Sequence, residues 1–465
     1  MNVSDAIASE NLRADWASAS YRRGLRIAVV AACIARIAVL AFAERRPARF
    51  DFPDSHRYVQ VARHIAAGLG PIDHEQLRSG TDPLYPFVLS VAPLAGFNSE
   101  DAILRFGRIC NSIFGIASVL LLAGLGRRIL GERVGLIAAF ILALDPILLF
   151  FNGLVLTESL YILLLLASVY SMTRSALRRT GESAASVRAE RDCIAWAMLA
   201  GICIGAATLT RSTNLFLPIA LCPIFLILLT RRPFRSAGLP ALGATTGGQA
   251  QNGLNLPVAG IPYTNMRNLS AVGTFLVCSV LVLTPTMIRN YGIYGAFVPT
   301  RIGGGASLME ALGPWADGAP GMDRIQYPPF PPTADELKRD RICRQAAIDW
   351  AAAHPADTVR LALAKLKRTW SIEINASGYT TPVLRAACWL TVAPEFLLTI
   401  VGVGLLRRRP DLIALLLAPA VYFSLVHVVF VGSVRYRLPA MPFLFLLAAS
   451  AIAAFRSGRR VARTG

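Results

Sequence analysis

The stretch FDFPDSHRYVQVARHIAAGLG, residues 50–70, follows the first long apolar run of the chain and precedes the segment PLYP at residues 83–86. Its apolar residues recur at spacings of three and four, which predicts a helix with one apolar face: Tyr58, Val61, Ala62, Ile65 and Leu69. Two glycines and a proline within residues 68–71 end this pattern. Asp54 directly follows Pro53 at the predicted start of the helix.

The position of Asp54 admits two interpretations. A carboxylate at a helix start can cap free backbone N–H groups, so Asp54 can be a plain cap on a helix that lies on a membrane. Alternatively, Asp54 is a catalytic carboxylate at a membrane surface. The stretch alone favours the cap, and the rest of the chain favours the catalytic role.

The composition indicates a polytopic membrane protein. The chain has 465 residues, of which 54% are hydrophobic and only 16% charged, and its mean hydropathy is +0.51. The net charge of +19 comes from arginines in the loops between apolar runs, so it does not indicate nucleic-acid binding. The eight cysteines show neither a disulfide framework nor a zinc-ligand spacing.

Ten apolar runs approach the roughly 20 residues that a membrane helix needs. They lie near residues 25–43, 106–126, 134–151, 154–172, 192–210, 213–229, 270–288, 386–406, 411–431 and 438–455. The run at 83–97 is shorter and contains prolines, which favours a surface or re-entrant segment, and a count of eleven or twelve spans stays open. The first run lacks a cleavage site and is interpreted as a retained anchor.

Arginine clusters predict the orientation. With ten spans, the clusters that flank the apolar runs all fall on one side, which the positive-inside rule makes cytoplasmic together with both termini. The expected order is a cytoplasmic tail (1–24), a transmembrane core (25–288) that includes an outer loop (44–105), a second outer loop (289–385), C-terminal spans (386–455) and a short cytoplasmic tail (456–465).

Two loops have further predicted features. The loop 289–385 should carry two helices, one from Thr333 to about His354 and one from Pro355 to about Trp370, as a cap that rests on the membrane. Its glycines at 303–305 are interpreted as part of a mobile loop. The Gly- and Asn-rich loop 231–269 is predicted to be a flexible connector.

Charged residues gather at the outer ends of the predicted spans, where burial in lipid is costly. They are Asp145, Glu158, Arg211, Arg289, Arg435 and Arg437, and the first outer loop adds Asp54, Arg57 and Tyr58. Each residue alone can be an interfacial anchor. As a set, the arginines suit a phosphate or pyrophosphate, because one guanidinium group can bind two phosphate oxygens at once. At this depth the natural ligand is a lipid-linked phosphate.

Five motifs in order resemble glycosyltransferase family 39, which includes protein O-mannosyltransferases and lipid A aminoarabinose transferases. They are DSHRY (54–58), PLYP (83–86), TE (157–158), IRN (288–290) and RYRLP (435–439). The segment AIDWAAAHPADTVRLALAKLKRTW, residues 347–370, also looks like the family's outer-loop helices. The resemblance covers roughly residues 25–455 and implies the all-α C-type glycosyltransferase fold, with about 10–12 transmembrane helices and juxtamembrane helices in the first outer loop.

The resemblance also implies a mechanism. The donor is a sugar on a polyprenyl phosphate such as undecaprenyl phosphate, and Asp54 is the general base that activates an acceptor hydroxyl for attack with inversion. The residues assigned to the donor phosphate are Arg57, Tyr58, Arg435, Arg437 and Arg289, and those assigned to the pocket are Glu158, Tyr85, Arg211 and Arg78. No cofactor and no metal ion are expected.

Two departures from the family pattern stand out. Ser55 follows Asp54 where the family has a second acid, and Asp51 is a candidate replacement. The segment TDPLYP lacks the lysine that aminoarabinose transferases place before the prolines, and Arg78 is a candidate substitute. The second departure weakens the lipid A interpretation in particular.

The sequence is therefore expected to encode a bacterial inner-membrane glycosyltransferase that acts outside the cytoplasm. Its acceptor stays open among lipopolysaccharide or another cell-envelope glycan, a lipid and a protein. One alternative is a transporter or flippase of lipid-linked sugars, which Glu395 and His427 within predicted spans keep open. The other is a non-catalytic scaffold subunit, which would not need Asp54.

Overall fold

A computed structural model describes residues 18–73, 77–176, 187–230, 261–375 and 381–464, and within them the regular structure is helical. The α-helices are α1 (Ala19–Arg45), α2 (Pro53–Ala66), α3 (Leu84–Leu94), α4 (Glu100–Leu130), α5 (Glu132–Leu144), α6 (Pro146–Gly153), α7 (Glu158–Ala176), α8 (Val187–Thr210), α9 (Leu217–Thr230), α10 (Ile261–Tyr294), α11 (Gly304–Ala311), α12 (Glu336–Ala353), α13 (Pro355–Thr369), α14 (Pro382–Leu405), α15 (Pro410–Val429) and α16 (Met441–Thr464). Short 3₁₀ helices include Ser212–Asn214 and Val434–Arg437.

Eight helices of the described chain are long and apolar enough to cross a membrane, and the bent pair α5 and α6 makes up to nine. Each of the ten predicted ranges contains a helix. The range 134–151 was predicted as one span, but the structure breaks it at Asp145 with a bend of 51°. Asp145 accepts a hydrogen bond from the Leu148 backbone N–H at 2.6 Å, and Pro146, which has no N–H, starts α6. The apolar part of α16, Met441–Phe455, is shorter than a full span.

Small residues bring the long helices together. Gly201 and Gly205 lie four residues apart on α8 and face α10, so a Cβ atom at Gly201 would lie 2.3 Å from the carbonyl oxygen of Phe275. Gly126 of α4 and Gly135 of α5 approach in the same way. Lipid competes with apolar side chains for helix surfaces, so close backbone approach of this kind is a main source of packing energy in membranes.

The two helices predicted in the loop 289–385 are present as α12 and α13, and Pro355 starts the second of them. A small apolar cluster that includes Met309, Ile325 and Cys343 joins α12 to the preceding segment and to Val431 after α15. Much of the predicted tail 1–24 and of the connector 231–269 lies outside the described residues.

Candidate active site

Asp54 lies in the first turn of α2, as the opening stretch predicts, but it does not cap the helix. The residue before the helix is Phe52, and no side chain caps the helix start. Instead, Oδ1 of Asp54 accepts a hydrogen bond from Nη2 of Arg57 at 2.7 Å, and Oδ2 accepts one from Nη1 of Arg435 at 2.6 Å. The interpretation of Asp54 as a plain cap is therefore wrong.

Glu158 joins this carboxylate to a larger cluster. It stands at the start of α7 and is 1% exposed. Its Oε1 accepts from Nε of Arg435 and from Nη1 of Arg211, the latter at 2.7 Å. Arg435 thus bridges Asp54 and Glu158. We call the five residues Asp54, Arg57, Glu158, Arg211 and Arg435 the arginine–carboxylate cluster.

The charges of the cluster control the ionisation of Asp54. Burial alone would raise the pKa of its carboxyl, but Arg435 and Arg57 outweigh burial and hold that pKa below its ordinary value of 3.8. Asp54 is therefore ionised at neutral pH. The three guanidinium groups face two carboxylates, which leaves one positive charge in excess.

Aromatic rings orient the cluster. The guanidinium of Arg435 lies 5.4 Å from the ring centre of Phe52, and that of Arg211 lies 5.3 Å from the ring centre of Tyr436. Beneath the cluster, Tyr58 packs edge-on against Tyr85 at 5.5 Å between ring centres. The two juxtamembrane helices are thereby fixed to each other.

The cluster opens into a cavity of about 1580 Å³. This volume exceeds that of an ordinary small-molecule pocket, which is about 300–1,000 Å³, so the cavity has room for more than one ligand group. Its lining combines residues of the first outer loop, the Arg211 turn, the second outer loop and the Val434–Arg437 helix. Of the predicted site residues, Asp54, Arg57, Tyr58, Arg211 and Arg435 line it.

The other predicted site residues lie outside the cavity lining. Glu158 and Tyr85 support it from behind, and Tyr85 donates a hydrogen bond to Oδ1 of Asn111 at 3.2 Å. Arg289 donates to the carbonyl oxygen of Arg78 at 2.7 Å, and the backbone N–H of Arg78 donates to Glu336 at 3.0 Å. This group joins the first outer loop to the second instead of facing the cavity.

Arg437 is also placed away from the cavity. It is 1% exposed, and its Nη1 donates to the carbonyl oxygens of Thr369 and Ser371, at 3.2 Å to the former. The two arginines, which lie two positions apart in one 3₁₀ helix, therefore point in different directions. Arg435 points toward the cavity, and Arg437 points toward the C-terminal end of α13. Only the side-chain directions in the fold distinguish the two arginines.

The structure also locates Ser55, which stands where the family has a second acid, and Asp51, the candidate replacement for that acid. Ser55 is 1% exposed, and its hydroxyl points into the protein without a hydrogen-bond partner in the described chain. Asp51 lines the cavity, and its carboxylate contacts Nε2 of His56. The other ring nitrogen of His56 lies 2.5 Å from Glu100. Position 55 therefore does not face the cavity, whereas position 51 does.

Sequence reasoning missed part of the cavity wall. Asp82, Arg301 and Glu310 line the cavity together with Arg368. Arg301 and Glu310 flank the glycines that were interpreted as a mobile loop, and no motif marks them. Asp82 lies directly before Pro83, in the segment where aminoarabinose transferases have a lysine. The sequence does not show that Arg301 lies 3.5 Å from Asp82.

The helical architecture and the cluster at the ends of its spans define a class: a multi-pass membrane protein with the C-type glycosyltransferase fold. The model of the family described as dolichyl-phosphate-mannose-protein mannosyltransferase matches residues 31–245, and the resemblance to glycosyltransferase family 39 is confirmed. No curated protein matches the chain.

Two solved archaeal structures share the fold at low sequence identity. The oligosaccharyltransferase AglB of Archaeoglobus fulgidus, in complex with an inhibitory peptide and a dolichol-phosphate, matches with a TM-score of 0.54 and 14% identity over 96% of this chain and 51% of that one. An oligosaccharyltransferase of Archaeoglobus fulgidus in the apo form matches with a TM-score of 0.56 and 13% identity, again over 96% and 51%. ArnT of Cupriavidus metallidurans bound to undecaprenyl phosphate matches with a TM-score of 0.38 and 16% identity over 96% and 80%. The chain spans about half the length of the archaeal structures.

Proposed function

We propose that the protein is an inverting glycosyltransferase that moves a sugar from a polyprenyl phosphate, such as undecaprenyl phosphate, to an acceptor hydroxyl. The observation that carries this proposal is the contact between Asp54 and Arg435, 2.6 Å apart, in the wall of a large cavity. It brings a candidate base next to a candidate phosphate ligand. The family 39 resemblance and the archaeal oligosaccharyltransferase structure, which is a complex with a dolichol-phosphate, support the same donor class.

The charge of the cluster suits this donor. A sugar linked to a polyprenyl phosphate is a phosphodiester with one negative charge, which balances the single excess positive charge of three guanidiniums and two carboxylates. When the bond between the anomeric carbon and the phosphate oxygen breaks, that oxygen gains a second negative charge. Arg435 and Arg57 are placed to stabilise it, since fixed cations act most strongly where charge develops.

Asp54 takes the acceptor proton in the same step. The acceptor oxygen attacks the anomeric carbon from the face opposite the phosphate and forms the new glycosidic bond, while the proton moves to the Asp54 carboxylate. The polyprenyl phosphate leaves with the electrons of the broken bond. A positioned base of this kind typically contributes about 10²–10⁴-fold to the rate.

The proposal includes a location and a range of acceptors. We place the protein in a bacterial inner membrane, and the arginine distribution supports an orientation with both termini in the cytoplasm and the cavity open to the periplasmic side. The acceptor is a lipopolysaccharide or other cell-envelope glycan, a lipid or a protein.

The test is a transfer assay on purified protein in nanodiscs, with radiolabelled undecaprenyl-phosphate sugars and a cell-envelope extract as acceptor. We expect Asp54→Asn to lower transfer by at least about 10²-fold. Asp357→Asn is a matched control, because Asp357 pairs with Arg360 at 3.0 Å on the exposed face of α13. Equal transfer by wild type and Asp54→Asn would contradict the mechanism.

A transporter or flippase is the second candidate, and the acidic pair at a broken helix favours it. The side chains of Asp145 and Glu395 lie close to each other at the break between α5 and α6, and transporters often bind substrates at broken helices. His427, in contrast, stacks on Tyr436 at 4.2 Å between ring centres, which is a packing role. Wild-type protein that binds the carrier but transfers no sugar would favour transport.

A further inference from the structure

One wall of the cavity carries a polar pair that the mechanism above does not use. Arg301 precedes α11 and Glu310 lies in α11, and both line the cavity with the arginine–carboxylate cluster. The side chain of Arg301 is 29% exposed, so a ligand in the cavity can reach it. Neither residue belongs to a motif of the sequence.

Arg301 is held in a fixed position. Its Nη1 donates to the carbonyl oxygen of Gly80 at 3.2 Å, and its Nε donates to Oγ of Ser212 at 3.1 Å and lies 3.5 Å from Asp82. Within the described residues, Nη2 donates no hydrogen bond. The guanidinium therefore has one nitrogen available to a ligand and the other two engaged.

Glu310 is held in the same way. Its Oε1 accepts a hydrogen bond from the Gly321 N–H at 2.7 Å, while Oε2 receives none from the part of the chain that the structure describes. Burial raises the pKa of Glu310. Arg301 and Asp54 are both close enough to act electrostatically on Glu310. One wall thus offers a hydrogen-bond donor and an acceptor near the proposed base.

We propose that Arg301 and Glu310 form the subsite that binds the hydroxyl groups of the donor sugar. A sugar hydroxyl both donates and accepts hydrogen bonds, so it can give its proton to Glu310 and receive one from Arg301. This inference rests on the proposed function, because it assumes a sugar joined to a phosphate in the cluster.

The position of the pair next to the phosphate site favours the donor sugar over the acceptor. Ser212, which accepts from Arg301, directly follows Arg211 of the arginine–carboxylate cluster. The donor sugar is attached directly to the phosphate, so a subsite that adjoins the phosphate ligands meets its ring. Arg301 and Glu310 are therefore specificity-determining residues of the donor site.

The experiment compares binding of lipids with and without a sugar. Dissociation constants are measured in nanodiscs for undecaprenyl phosphate and for undecaprenyl phosphate linked to mannose, glucose or 4-amino-4-deoxyarabinose. Glu310→Gln keeps an oxygen for the Gly321 N–H but loses the charge, and Arg301→Gln is the second variant. Glu336→Gln is the matched control on the same loop, since Glu336 accepts from the Arg78 N–H outside the cavity.

We expect Glu310→Gln to weaken binding of the best sugar-bearing lipid by about 5–10-fold, the difference between a charged and a neutral hydrogen bond. Binding of undecaprenyl phosphate should stay within about twofold, as should both constants of the control. For Arg301→Gln, the dissociation constant of the sugar-bearing lipid should likewise rise relative to that of undecaprenyl phosphate.

Three outcomes overturn the inference in distinguishable ways. Unchanged ratios in both variants refute the subsite but leave the proposed function intact. Equal weakening of lipids with and without sugar shows that the pair only supports the cavity wall. Wild-type protein that binds no undecaprenyl lipid removes the proposed function and the subsite together.

Discussion

Replacing Glu158 with glutamine should destabilise the protein and strengthen its binding of undecaprenyl phosphate. Glu158 is the buried partner of two guanidiniums, and its side chain is 2% exposed against 12% for Arg211. At the observed 2.7 Å to Arg211, unit charges attract by about 6 kcal/mol at an effective dielectric constant of 20 before desolvation is subtracted. Loss of one partner of a buried pair typically costs about 3–5 kcal/mol, and we expect that loss here.

The same change should favour an anion. Without Glu158, three arginines of the cluster face Asp54 alone, so a bound phosphate relieves their repulsion. Undecaprenyl phosphate at about 100 times its dissociation constant should then restore about 2.7 kcal/mol or more. The assay is thermal unfolding in nanodiscs, with and without the lipid, together with a direct measurement of the dissociation constant.

Glu132→Gln is the matched control. Glu132 lies 3.4 Å from Arg127, and their side chains are 33% and 29% exposed. An ion pair this exposed contributes about 1 kcal/mol or less. A Glu158→Gln protein as stable as the control, or one that binds undecaprenyl phosphate more weakly than wild type, would refute the account of the cluster.

Three further predictions follow from the described contacts. Arg435 and Arg57 outweigh burial and lower the pKa of Asp54, so the pH at which kcat/KM declines on the acid side should lie below 3.8. The corresponding pH for kcat should be higher, because the bound phosphate pairs with the guanidiniums that otherwise stabilise the Asp54 carboxylate. Profiles of both rate constants against pH check this prediction. Arg437→Met should cost about 3 kcal/mol in thermal unfolding, because Arg437 is buried, donates to the carbonyl oxygens of Thr369 and Ser371 and interacts electrostatically with Asp145 and Glu395, yet it should leave the affinity for undecaprenyl phosphate unchanged. Hydrogen bonds to Glu100 and Asp51 raise the pKa of His56, although burial alone would lower it. The contribution of His56 to stability is therefore complete below about pH 6.5 and is lost as the pH rises through the raised pKa. His56→Gln should flatten the dependence of the melting temperature on pH.

The helices were predictable because their signals are local. Apolar runs, prolines and caps act within a few residues, so α2 and α13 begin where the sequence indicates, and α12 begins at Glu336, three residues after the predicted Thr333. The bend at Asp145 was not predicted. Its cause, the side-chain cap on α6 followed by Pro146, is local too, but the continuous apolar run concealed it.

The candidate site was predictable only in part. Asp54, Arg57, Tyr58, Arg211 and Arg435 meet around the cavity as the clustering of charges at span ends suggests. The pattern of charges did not separate Arg435 from Arg437, because both lie in one helix of four residues. It also missed the residues of the second outer loop.

The sequence by itself determined the class of protein, the positions of most of its helices and the carboxylate at the start of α2. Hydropathy and helix signals are properties of short segments, and they survive without knowledge of the fold. Tertiary structure alone decided which charges are partners, because Asp54 and Arg435 are separated by 381 positions in the chain. It also decided that Arg301 and Glu310 face the cavity, since the direction of a loop side chain depends on the helices that the loop packs against.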